Sequence, residues 1–311
     1  MNWLSVPKKI YFKDGSMPVA LGELSVVYGL KRAFIISDSA SFNAGVVDPV
    51  IDFVLDKGIS YAEFFNVSET PSFADVRSGL PKMLEFEPDV ILAVGDASVM
   101  SIAKAMWLQY ENAEEDIAAL AAKHNNVAEP LTGKVTGAKA MFVALGTTPG
   151  GCAAEMTPFA VLANDDEKLV CIADYSLVPE MAVVDADFAE GIDKDELKES
   201  SLYVLLAAIA AYAGENASCY IQGQAREAVE AVLANIEHAL NGCKQGLIKL
   251  TYAGALAGMA FGNSYASINP EAGKNPLDVK ALEKNENVAD LAKAAGFASA
   301  KELLAACEAL K

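Results

Sequence analysis

The chain has 311 residues, 53% of them hydrophobic and 21% charged, enough for two ordinary domains with substantial cores. Its 42 acidic and 24 basic residues leave a net charge of −18, which excludes a nucleic-acid backbone or an anionic membrane surface as a partner. Five cysteines, an odd number with no CxxC spacing, argue against a disulfide framework or a zinc knuckle and point to a reducing, cytoplasmic home.

In chain order, Met1 to Lys9 carries no apolar stretch of signal-peptide length. Four apolar runs then read as strands: Ala33–Ser37 ending at Asp38, Asp89–Val94 ending at Gly95, Ala140–Leu145 ending at Gly146-Thr147-Thr148, and Met181–Val184 ending at Asp185. Helical patterns fall between some of them, at Val46–Asp56, Phe73–Glu85 and Ser98–Tyr110. Such alternation predicts a parallel sheet covered by helices, with any ligand beyond the carboxyl ends of the strands, near Asp38, Gly95 and Thr147. Lys123–Lys139, with Asn125-Asn126, Pro130 and two glycines, reads as a loop. After about Phe188 the chain is rich in Ala, Leu and Glu and shows no convincing strand. Helices are expected at Lys194–Gly214, Gln222–Asn241, Gln245–Asn263 and Asn287–Lys311, the last broken at Gly296 and recapped near Ser299. The longest apolar run, Leu202–Ala213, is too short for a bilayer and reads as a buried helix. Residues 1–188 therefore form one α/β domain and 189–311 an all-helical one.

The phrases Val6-Pro7-Lys8-Lys9-Ile10-Tyr11-Phe12, Lys31-Arg32-Ala33-Phe34-Ile35, Pro88–Gly95, Met156–Val161, Ala173–Asp185 and Ala257–Asn263 resemble the iron-containing alcohol dehydrogenase family, most closely the alcohol dehydrogenase half of the bifunctional aldehyde-alcohol dehydrogenases. Together they run in register through roughly the first 270 residues. The resemblance implies a Rossmann-like nucleotide-binding domain joined to a helical domain in the dehydroquinate synthase-like architecture. It implies NAD(P) in the first domain, and an iron or zinc ion held by one Asp and three His in the second. The stretch Asn287–Lys311 resembles the family's closing helices, so a central piece of the helical domain is missing relative to the family.

This sequence departs from the family's metal pattern. The family needs three histidines, and the chain has two, His124 and His238. Counting back from Ile209-Ala210-Ala211-Tyr212 puts Tyr203 at the Asp position and Ala207 at the first His position. Ile268-Asn269, which should precede the next His, is followed by Pro270, and a further His position falls at Lys274. Alanine and proline have no side-chain donor, and a phenol is a poor ligand for iron(II) or zinc.

The nucleotide loops depart too. Where the family has Gly-Gly-Gly-Ser, this chain has Gly95-Asp96-Ala97-Ser98, which puts a carboxylate where two phosphates would lie. Asp96 or Ser98 is expected to cap a helix there. The second loop reads Thr147-Thr148-Pro149-Gly150-Gly151-Cys152, in which Thr147, Thr148 and Gly150 keep the family's pattern and Pro149 removes a donor. Asp38 matches the position that would meet an adenosine ribose, and is also a common strand-end residue. Cys152 has no histidine near it in sequence to activate it.

The expectation is a family member that has lost its metal site: a pseudoenzyme serving as scaffold or regulatory partner, through self-association or an active relative. No iron or zinc is expected, and no resident cofactor. One alternative is an NAD(P)-dependent alcohol or aldehyde oxidoreductase with a metal-independent or relocated site. Another is a small-molecule binding module in the interdomain cleft.

Overall fold

The computed structural model describes residues 4–68, 70–125, 136–214, 217–264 and 282–310. Six parallel strands form one sheet, in the order β1 (Lys9–Phe12), β8 (Met181–Val184), β5 (Met141–Gly146), β4 (Val90–Gly95), β2 (Arg32–Asp38) and β3 (Ser60–Val67). A separate antiparallel pair, β6 (Phe159–Ala163) and β7 (Leu169–Ala173), lies beside it. The parallel sheet forms because each inner strand is apolar on both faces and each face receives helices. Period-two alternation does the sorting. Ala33 and Ile35 of β2 and Leu92 of β4 pack with Leu21 of α1 (Met17–Val26) and Val50 of α3 (Asp48–Asp56). Phe34, Ile36 and Ile91 point the other way, toward Val76 of α4 (Phe73–Phe86) and Met106 and Trp107 of α5 (Ala97–Glu111).

The four strands read from sequence are all present, within one residue at each end. The helices Phe73–Glu85 and Ser98–Tyr110 are present with similar bounds, and Val46–Asp56 begins two residues late, at Asp48, with Pro49 fitting its first turn. Lys123 closes α6 (Ile117–Lys123), so the stretch expected as loop begins inside a helix; residues 126–135 lie outside the described residues.

The helical half holds α8 (Lys194–Ala213), α9 (Cys219–Leu240), α10 (Lys244–Asn263) and two short closing helices, Glu286–Ala294 and Ala300–Glu308. The expected break is there: Gly296 takes φ +87°, and Ser299 caps the last helix by accepting from Glu302 N–H. No strand occurs after Val184 among the described residues.

The two halves meet through glycine. Gly254, Gly258 and Gly262 recur every four residues along one face of α10. A Cβ at Gly254 would overlap the Pro149 carbonyl, and one at Gly258 the Ala153 carbonyl. Both carbonyls belong to α7 (Pro149–Glu155), so backbone meets backbone with no side chain between. Beneath this junction, the wholly buried Lys104 ammonium donates to the carbonyl oxygens of Ala154 and Thr157, at 2.7 and 2.5 Å. Glu155, equally buried, accepts from Gly146 N–H at 2.9 Å. Burial pushes its carboxyl well above the usual range, with Lys104 pulling the other way.

Candidate functional site

The carboxyl ends of β2, β4 and β5 open into a cavity of about 460 Å³. Its wall includes Asp38, Asp96, Ser98, Thr147 and Thr148, five of the eight residues singled out from sequence. The other three, Gly95, Ala97 and Gly150, belong to the same two loops but do not line it.

Each loop is built by local rules. Asp96 is the N-cap of α5, with φ −82° and ψ −166°, and its Oδ1 accepts from Ser98 N–H at 2.9 Å and Val99 N–H at 3.0 Å. Of the two expected caps, Asp96 is the one used. Gly95 is glycine because a Cβ there would strike Val99 at about 2.5 Å. Asp38 ends β2 and caps α2 (Ser39–Asn43), accepting from Ser41 N–H at 2.8 Å and from its hydroxyl at 2.6 Å.

The second loop is not a loop throughout. Thr148 caps α7 by accepting from Gly151 N–H at 2.9 Å, and Pro149 occupies the first turn, where the donor it lacks would have been unpaired. Gly150 N–H donates to Ser200 Oγ on α8 at 2.6 Å. The two loops lock together: Thr147 N–H donates to the Gly95 carbonyl at 3.0 Å, and a Cβ at Gly151 would lie 2.6 Å from that same oxygen. Cys152 is buried, its thiol pointing to the Gly146 carbonyl, and burial pushes its pKa well above the ordinary thiol value. That environment disfavours a nucleophilic thiolate.

The first turn of α8 and the turn before it supply wall residues that sequence reasoning missed: Glu190, Asp193 and Glu196. With Asp38 and Asp96 they make five carboxyl groups on one cavity, and no lysine or arginine is on its wall among the described residues. The groups sense one another. Burial, then the nearby Asp38, push the Asp96 carboxyl up. Burial, then Asp96, Asp38 and Asp193, push Glu196 up.

At the positions that resemblance assigned to metal ligands, Tyr203 is partly exposed with its ring near Gly150 and its hydroxyl pushed up to about 12 by burial, and Ala207 is 1% exposed inside the helical core. Neither side chain suits a divalent ion. Pro270 and Lys274 lie outside the described residues. Among the described residues no three His, Cys, Asp or Glu side chains are grouped to hold a metal. His124 is buried at the end of α6, its Nδ1 paired with Asp174 Oδ2 at 2.9 Å, and His238 is exposed on α9. No helix of the described residues is long and apolar enough to cross a membrane.

Residues 7–186 match the iron-containing alcohol dehydrogenase family. The aldehyde-alcohol dehydrogenase 2 of Entamoeba histolytica is 36% identical over 278 residues, 86% of this chain and 31% of that protein. The bifunctional aldehyde-alcohol dehydrogenase AdhE of Escherichia coli (strain K12) is 34% identical over 273 residues, 86% of this chain and 30% of that protein. The chain thus spans about a third of the length of these relatives. In fold it is similar to the sulfoacetaldehyde reductase of Bifidobacterium kashiwanohense, solved in complex with NAD+, with a TM-score of 0.81, 18% identity, and 100% of this chain and 85% of that one covered.

Proposed function

The chain belongs to the iron-containing alcohol dehydrogenase family, and from that premise we propose that it keeps the family scaffold without metal-dependent hydride transfer, acting as a non-catalytic partner of itself or of an active relative. One observation carries the proposal: the two ligand positions on α8 hold a phenol and a core methyl, Tyr203 and Ala207, and burial pushes the phenol up to about 12, far from the phenolate a metal would need. A hydride transfer that relies on a metal to polarise an alcohol oxygen needs donors converging on that ion. With two histidines in 311 residues, one paired to Asp174 and the other exposed on α9, this chain cannot assemble a three-histidine set.

Metal analysis and turnover test it together. Purified protein incubated with excess iron(II) or zinc and then desalted is expected to retain neither at one ion per chain. It is expected to show no oxidation of NADH or NADPH with short aldehydes. Stoichiometric metal or metal-dependent turnover would overturn the proposal. The partner half is checked by gel filtration, alone and with an active relative. A lone monomer peak in both runs would remove it.

A second reading is favoured by kinship, since the relatives named above are dehydrogenases, and by the cavity that survives at the strand ends. On that reading the chain is an NAD(P)-dependent alcohol or aldehyde oxidoreductase whose substrate oxygen is polarised by something other than the family's ion. Metal-independent turnover in the same assay would select it.

A further inference from the structure

An α-helix N-terminus offers unpaired N–H groups and a partial positive charge, the elements of an anion seat. The 15-residue helix α5 presents such an end to the cavity. Here the seat is already taken. Asp96 Oδ1 accepts from both Ser98 N–H and Val99 N–H, at 2.9 and 3.0 Å, the first-turn amides that a phosphate oxygen would use. Neighbouring amides are engaged as well: Thr147 with the Gly95 carbonyl, Gly150 with Ser200, and Gly151 with Thr148. The same cavity wall carries Asp38, Asp193, Glu196 and Glu190, the last paired with the Lys244 ammonium at 2.6 Å, and none of the described wall residues is cationic. A dinucleotide carries two negative charges on its pyrophosphate. It would meet a carboxylate in place of donors, and four more carboxyl groups around it.

We infer that Asp96 is a built-in substitute for a phosphate: its carboxylate takes the hydrogen bonds and charge complement that the α5 terminus would give a pyrophosphate, and thereby closes the cleft to nicotinamide dinucleotides. The nucleotide chemistry implied by the family does not fit the residues present, and Asp96 is the residue that makes the difference. This inference is independent of the α8 positions, since an ion found there would leave the occupied α5 terminus unchanged.

A helix cap alone and a phosphate substitute make different predictions. Asparagine caps a helix about as well as aspartate. If Asp96 were only a cap, Asp96→Asn would leave dinucleotide affinity unaltered. As a phosphate substitute, Asp96→Asn removes the repelling charge, and Asp96→Gly also frees the two amides. The experiment uses the full chain as wild type, D96N, D96G and the control D195N. Asp195 is a carboxylate in the first turn of α8 that lies off the cavity wall. NADH fluorescence and thermal shift are recorded with NADH, ADP-ribose and adenosine as probes.

The wild type and D195N are expected to show no saturable binding at millimolar NADH. D96N should bind NADH and ADP-ribose, and D96G should bind them tighter still, with Kd lowered about ten-fold or more from the wild-type limit. Adenosine, which has no phosphate, should gain nothing. Sub-millimolar NADH binding by the wild type would overturn the inference. So would folded D96N and D96G proteins that gain no affinity, an equal gain in D195N, or an equal gain for adenosine. Should D96G fail to fold, D96N decides the question, because its cap is intact.

Discussion

At the scale of single residues, the acidic cleft leaves a signature in pH. Glu196 is held above the ordinary carboxyl range by burial and by the charges of Asp96, Asp38 and Asp193. The folded state therefore binds a proton there more tightly than the unfolded state does. The stability this contributes is complete below the unfolded pKa, about 4.5, and is lost as pH rises through the folded value. Glu196→Gln removes the dependence. The melting temperature of E196Q minus that of wild type is expected to increase between pH 4 and pH 7, read by a series of thermal melts. The amplitude should be on the order of 0.5 kcal/mol, because the side chain is only partly buried and solvent screens the rest. A flat difference would mean that the cleft carboxyl groups do not interact.

At the scale of elements, Arg77 on α4 ties three pieces of the first domain together. It makes a fork to Asp116, at 3.0 and 2.8 Å, and reaches Asp165 in the β6–β7 turn at 2.5 Å. Asp116 is the N-cap of α6, and Arg77 holds its carboxyl down at about 2. That contribution is present above the unfolded carboxyl value of 3.8 and is lost as pH falls toward about 2. The side chains are more than a third exposed, so screening sets the size of the effect. Arg77→Met is expected to cost about 0.5 kcal/mol through the Asp116 pair in urea melts at low salt, and less at high salt. A loss above about 2 kcal/mol would show that the fork is structural in a way its exposure denies.

The same elements show what could be read from sequence. The central strands were legible because they are unbroken apolar runs ended by Gly or Asp, as fully buried parallel strands must be. Strand β3 was hidden because it lies at the sheet edge, where Ser60, Glu63 and Asn66 interrupt the run. Helix α7 was hidden for another reason. Its Pro-Gly-Gly start has poor helix propensity, and the Thr148 cap and the press of α10 override it. Five of the eight candidate residues reached the cavity because strand ends are readable and ligands gather beyond them. Glu190, Asp193 and Glu196 were missed because nothing local in Asp193-Lys194-Asp195-Glu196 tells more than a helix start. Only the return of α8 over the strand ends brings them to the cavity. The family resemblance named the scaffold correctly, and the match over residues 7–186 agrees with it.

At the scale of the whole molecule, the glycine stripe on α10 decides how the halves join. Gly258→Ala puts a methyl into the Ala153 carbonyl, which cannot rotate away as a side chain would. It is expected to cost about 1–3 kcal/mol in urea unfolding, from forced backbone displacement. Gly223 is the internal comparison: it lies in α9 with open space at its Cβ position. Gly223→Ala is expected to gain about 0.5–1 kcal/mol from helix propensity. Equal effects at the two positions would deny the close approach.

That approach also governs traffic. Rotating side chains act as bearings when one layer of a protein slides over another, and at Gly254 and Gly258 the α7–α10 seam has none. The floor beneath Thr147 and Thr148 is therefore riveted to the helical half, with the Gly150 N–H to Ser200 Oγ bond as a second tie. The wall above that floor carries the carboxyl groups of Asp38, Asp96, Glu190, Asp193 and Glu196, so the chamber as a whole disfavours anionic visitors.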